Sequence, residues 1–158
     1  MPVPLSITTW SDAGGLATVI GTCIAAVAAV FAVVQYFGQS KLTRETRATQ
    51  SYDAYLQLCV THPELTSTAA FVKRYGREPN VDYKSNSTED EKYLWFLSVM
   101  LNASEQVVLN TPKNHAWETT ISAQVSYHMT TMKRVWANWQ KHYSAKLVSV
   151  VEKALQAA

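Results

Sequence analysis

Between residues 13 and 40 the chain carries no Asp, Glu, Lys or Arg, and all 14 of its Lys and Arg residues follow, beginning at Lys41. Within that gap, residues 16–34 (LATVIGTCIAAVAAVFAVV) include nine Val, Ile, Leu or Phe residues. As a helix they cover about 28 Å, enough for the hydrocarbon core of a bilayer. At about −0.3 to −0.6 kcal/mol for each large apolar residue, insertion is favourable by a few kcal/mol, with no charge to oppose it. A buried helix in a soluble domain would need protein on all sides, and the rest of a 158-residue chain is a poor candidate for that. The segment also explains why only 16% of residues are charged, against about 25% in ordinary soluble domains.

A cleaved signal peptide is the nearest rival, since Ala26-Val27-Ala28 has the small residues of a cleavage site. It is disfavoured because no basic residue precedes the apolar run and the run exceeds the usual length of roughly 7–15 residues. The expected organisation is a short external N-terminus (1–12), a transmembrane helix (13–37), a juxtamembrane helix (38–61) and a helical cytoplasmic domain (62–158). Lys41, Arg44 and Arg47 lie just after the span and set the orientation, N-terminus outside and C-terminus in the cytoplasm. Trp10, Tyr36 and Phe37 are placed to anchor the two interfaces. The lipid bilayer is therefore the first expected partner. Ala17, Gly21, Ala25 and Ala29 recur every fourth residue and line up small side chains along one face, so a second copy or another membrane protein is the next.

The remainder reads as helices. Tyr52, Tyr55, Leu56 and Cys59 continue the first helix to about residue 60, and His62-Pro63-Glu64 ends it and starts another. Gly76 can close that one, and residues 76–87 form the main loop. Thr88 and Glu91 form a capping box for a helix bearing Tyr93, Phe96, Leu97, Met100, Leu101, Val107 and Val108 on one face. Trp117, Ile121, Val125, His128, Met132, Val135 and Trp139 then predict one long helix, and Ser144 caps a last one. The fold class is all-α: one N-terminal transmembrane helix continuing into a cytoplasmic antiparallel bundle of four to five helices.

Chemistry is sparse. Motifs of the HExxH, CxxC, GxGxxG and GxxxxGK[ST] types are absent, so no catalytic, cofactor-binding or metal residues are assigned and no cofactor is expected. Glu105 falls on an apolar face and His128 on the next core seam, so the two could meet as a buried polar pair that fixes register. Read as chemistry, the same pair would serve a membrane-tethered enzyme or accessory subunit by proton transfer. Lys133, Arg134, Lys141, Lys146 and Lys153 stand near Trp136, Trp139 and Tyr143, a mixture that suits single-stranded nucleic acid or anionic lipid. The aromatics share the core face, however, and 14 basic residues oppose 11 acidic ones after residue 40, so nucleic acid is not an expected partner.

Several patterns taken together carry a resemblance. They are the Trp10-Ser11-Asp12 lead, the Tyr-rich juxtamembrane helix, the HPEL turn at 62–65, the YLWFLSVMLNASEQV helix at 93–107, and the spaced Trp residues near the end. The chain resembles uncharacterised bacterial single-pass membrane proteins with a small helical cytoplasmic domain of unknown function. The resemblance implies a small helical protein in the inner or plasma membrane and transfers no functional residues. The leading expectation is a non-enzymatic interaction, scaffold or regulatory module at the cytoplasmic membrane face.

Overall fold

The computed structural model describes residues 8–82, 84–111 and 114–157, with side chains from residue 27 onward except 40 and 41. Six α-helices appear among them: α1 (Thr8–Thr61), α2 (Thr68–Tyr75), α3 (Thr88–Asn110), α4 (Ala116–Tyr127), α5 (Met129–Trp139) and α6 (Ala145–Gln156). Short 3-10 turns follow α1 and α5, at Pro63–Leu65 and Gln140–His142. No strand occurs among the described residues, so the all-α class holds. The chain divides into two units, Met1–Thr43 and Arg44–Ala158, with α1 belonging to both.

In the first unit, residues 27–39 are helical and every side chain is exposed. Val30, Phe31, Val34, Tyr36 and Phe37 are each more than 60% accessible. The predicted span begins at residue 16, so much of it, together with Trp10, Ala17, Gly21 and Ala25, lies outside the described side chains. Among the described residues, no helix is long and apolar enough to cross a membrane.

In the second unit, α1 presents Ala48, Tyr52 and Tyr55, all buried, at the i, i+4, i+7 spacing of one helix face. Tyr52 meets Trp117 of α4 edge-on at 5.0 Å between ring centroids, and Tyr55 meets Phe96 of α3 at 5.5 Å. The Tyr55 hydroxyl donates to Oε1 of Gln124 at 2.8 Å. The aromatic packing runs on through His128, Tyr93, Phe71 and Tyr75, so rings from four helices and the α4–α5 junction form one continuous set of contacts. Such contacts add modest directional terms to a large burial of apolar surface.

Pro63 opens the 3-10 turn after α1, where its missing N–H costs nothing. Ser67 caps α2, accepting from the Ala70 amide at 2.9 Å. Gly76 ends α2 at φ 72°, a left-handed conformation that favours glycine. α3 is the central helix, burying Tyr93, Leu97, Met100, Leu101 and Val107 almost completely. α4 packs most extensively on α6.

Two expected boundaries shift. The capping box of α3 is built one residue earlier than Thr88/Glu91, by Ser87 and Asp90. Asp90 lies at the third helical position and is almost fully buried. It accepts from Arg77 at 2.7 Å, from the Asn80 amide at 2.9 Å and from the Ser87 amide at 3.1 Å. Burial alone would raise its pKa, but these donors outweigh burial and hold it down at about 2. Arg77, Asn80 and Ser87 are thus gathered around one carboxylate. Asp90→Asn replaces an acceptor with a donor facing the Ser87 amide, and is expected to lower stability by about 1–3 kcal/mol in urea unfolding.

The second shift is larger. The single long helix expected over 117–139 is two helices, broken at His128 (φ −113°, ψ 18°). The His128 amide bonds back to the Val125 carbonyl at 3.0 Å, three residues earlier instead of four. No Gly or Pro stands at the break. What lies there instead is a histidine ring pulled wholly into the core, so tertiary packing has overridden a continuous helical pattern.

Candidate functional site

Three places in the second unit concentrate polar or aromatic chemistry. The first is a buried chain of side chains. Thr131 and Thr68 hydroxyls lie 3.4 Å apart, Thr68 and Tyr93 hydroxyls 2.9 Å, and the Tyr93 hydroxyl and His128 Nδ1 2.7 Å. This ties α5, α2, α3 and the α4–α5 junction together in the centre of the core. Burial drives the His128 pKa down from 6.5 to about 4, so its imidazole is neutral at pH 7. Burial likewise raises the Tyr93 pKa, against the opposing hydrogen bonds from Thr68 and Thr131. Nε2 of His128 is buried without a hydrogen-bond partner, as is Nε1 of Trp136.

The second place holds Glu105. It does not meet His128. Its carboxylate is half-buried and accepts from the Ser144 amide and hydroxyl, both at 2.9 Å. Ser144 in turn caps α6, accepting from the Leu147 amide. Glu105 therefore places a negative charge at the positive end of α6 and docks that end onto α3. The expected Glu105–His128 pair is corrected to two separate structural contacts. The spacing put both residues on core faces, but Glu105 is taken by Ser144 and His128 by Tyr93.

The third place is a groove of about 600 Å³. Along α3, Glu91, Leu94, Trp95, Ser98 and Asn102 line it, following one helix face. Trp139, His142 and Tyr143, from the end of α5 and the turn after it, and Asn86 complete the lining. Trp95 is 72% exposed, whereas Leu94 is buried at the base. Tyr143 is backed by Trp136, the two rings nearly parallel at 6.0 Å. The sequence pattern contained a signal for this site that apolar-face counting passes over: Trp95 lies off the core face of α3, and a large aromatic there has no packing explanation.

Two of the five basic residues singled out in the last helices serve contacts within the fold. Arg134 donates to the Pro79 carbonyl at 3.2 Å and faces Glu78 at 3.9 Å, bracing the 77–87 loop. Lys146 donates to the Val108 carbonyl at 3.2 Å near the end of α3. Lys133, Lys141 and Lys153 are exposed. Arg44 and Arg47 are exposed on α1, and Lys41 lies outside the described side chains. Tyr36 and Phe37 touch edge-on at 5.9 Å, and Ala29 is exposed. Among the described residues no three His, Cys, Asp or Glu side chains converge to hold a metal ion.

No family model, curated protein or solved structure matches this chain.

Proposed function

We propose that the chain is a single-pass membrane protein whose apolar N-terminal helix anchors a helical, non-enzymatic interaction module at the cytoplasmic face of a bacterial inner or plasma membrane. The observation that carries this reading is the helical run 27–39, which is uncharged and exposed at every side chain. Water is a poor solvent for so continuous an apolar surface, and lipid can cover it on all sides while the helix satisfies its own backbone. The preceding residues 16–26 extend the same composition to spanning length. Lys41, Arg44 and Arg47 favour a cytoplasmic C-terminus, with Trp10, Tyr36 and Phe37 at the interfaces. Ala17, Gly21, Ala25 and Ala29 supply a face for a second copy or another membrane helix.

A tethered enzyme acting through Glu105 and His128 has less support, because the first caps a helix and the second is sealed in the core. Binding of nucleic acid or anionic lipid by the C-terminal helices is weakened in the same way, since Arg134 and Lys146 already serve internal contacts.

The full chain, expressed in bacteria, is expected to stay in the membrane pellet after alkaline carbonate washing. Ile24→Arg combined with Val27→Arg, which flank the middle of the run 16–34, opposes insertion by about 5–7 kcal/mol and is expected to release or aggregate the protein. Recovery of the unmodified chain in the carbonate supernatant would refute the anchor. Reporters fused to each end test the orientation.

A further inference from the structure

The groove between α3 and the 139–143 segment has a chemistry that the anchoring role does not use. Its lining includes three electron-rich aromatic side chains, Trp95, Trp139 and Tyr143. Glu91 lies one helical turn before Trp95 and supplies a carboxylate, while among the described residues no Lys or Arg lines the groove. Its volume of about 600 Å³ falls within the range of small-molecule sites, roughly 300–1,000 Å³.

These features select against an anion, which would face a carboxylate and aromatic rings with no Lys or Arg partner and His142 as the one basic side chain in the lining. A small hydrated inorganic cation gains little, because its water shell would have to be stripped by groups that cannot replace it. A weakly hydrated organic cation fits both halves of the lining: its methyl groups meet the rings, and its charge interacts with their quadrupoles and with Glu91. From this combination we infer that the groove binds a quaternary or alkylated ammonium group. Trp95 and Trp139 supply the aromatic surface, and Glu91 supplies the counter-charge. Ser98 and Asn102 extend along the same face of α3 and can hydrogen-bond a hydroxyl or carbonyl carried by the same molecule. The same trimethylammonium chemistry occurs on a free solute and on a phosphatidylcholine headgroup.

The test uses the full chain in maltoside micelles, titrated calorimetrically at about pH 8, where an ordinary histidine is neutral. Choline is compared with 3,3-dimethylbutan-1-ol, its neutral counterpart of nearly equal shape. Choline is expected to bind at least about tenfold more tightly than the alcohol. Trp95→Leu should weaken choline binding about tenfold, and Glu91→Gln should weaken choline several-fold while leaving the alcohol unchanged. Both replaced side chains are exposed, and thermal unfolding followed by circular dichroism confirms that each variant is folded. Nanodiscs of phosphatidylcholine and of phosphatidylglycerol separate the sources. Loss of free-choline binding in the phosphatidylcholine discs alone assigns the site to the headgroup, and equal binding in both assigns it to a solute. Equal affinity for choline and the alcohol, no choline binding up to about 50 mM, or full affinity in both variants would overturn the inference.

Discussion

Tyr55→Ala is expected to lower the stability of the 44–158 unit by about 3–5 kcal/mol, one of the two largest effects anticipated for this chain. The ring is fully buried and lies 5.7 Å from Tyr52 and 5.5 Å from Phe96, so truncation opens a cavity where α1 joins the bundle. Burial also raises the phenol pKa, which keeps the hydroxyl protonated as the donor to Gln124. Tyr55→Phe isolates that bond, and its loss should cost only about 1 kcal/mol. Urea unfolding of both variants, followed by circular dichroism and tryptophan fluorescence, measures the two terms. A Tyr55→Ala value no larger than that of Tyr55→Phe would mean that α1 is not held by this ring. Limited proteolysis gives an independent view, because trypsin needs an unwound backbone and a loosened 44–61 segment would become cleavable after the already exposed Arg44 and Arg47.

Acidification produces the second large effect. His128 titrates at 6.5 in the unfolded chain and at about 4 in the folded one. Between those values the unfolded state binds more protons, so stability falls as pH drops. The penalty is absent above the unfolded value, grows through the window from 6.5 to 4, and reaches about 3 kcal/mol below it. Asp90 acts lower down: its depressed pKa of about 2, against 3.8, adds stability that is present above pH 3.8 and lost as pH falls to 2. His128→Gln is expected to flatten the pH dependence between 6.5 and 4, since His62, His115 and His142 remain in both proteins. Parallel pH slopes for the variant and the original chain would show that His128 is not the titrating group. Tyr93 faces the ring directly, and it is neutral throughout this range.

Much of the helical plan was legible because local chemistry and burial agree. Pro63, Gly76 and Ser144 mark helix ends by mechanisms that need no tertiary partner, and all three act at those ends. The cap of α3 was legible only to within one residue. Ser87 and Thr88 are both good caps, and the choice between them rests on Arg77 and Asn80 converging on Asp90 from across the loop. The break at His128 was hidden for a related reason. Its apolar neighbours keep a steady seam spacing, while the histidine at the break is held by a hydroxyl on another helix 35 residues away in sequence. Glu105 was correctly singled out as a carboxylate needing a partner. The partner could not be chosen, because Ser144 approaches only once α6 has folded back onto α3. For the groove, counting the apolar face passes over Trp95, and the rest of the lining depends on the turn that carries Trp139 round to Tyr143.

The uneven solvation of the indoles has an optical consequence. Trp95 is 72% exposed and Trp136 only 5%, so the two emit from nearly opposite environments. A water-soluble collisional quencher reaches the first and is excluded from the second. The chain has five tryptophans, so replacing Trp10, Trp117 and Trp139 by phenylalanine leaves one indole reporting on the groove and one on the interior, and their emission separates events at the surface from loss of the core without any attached dye.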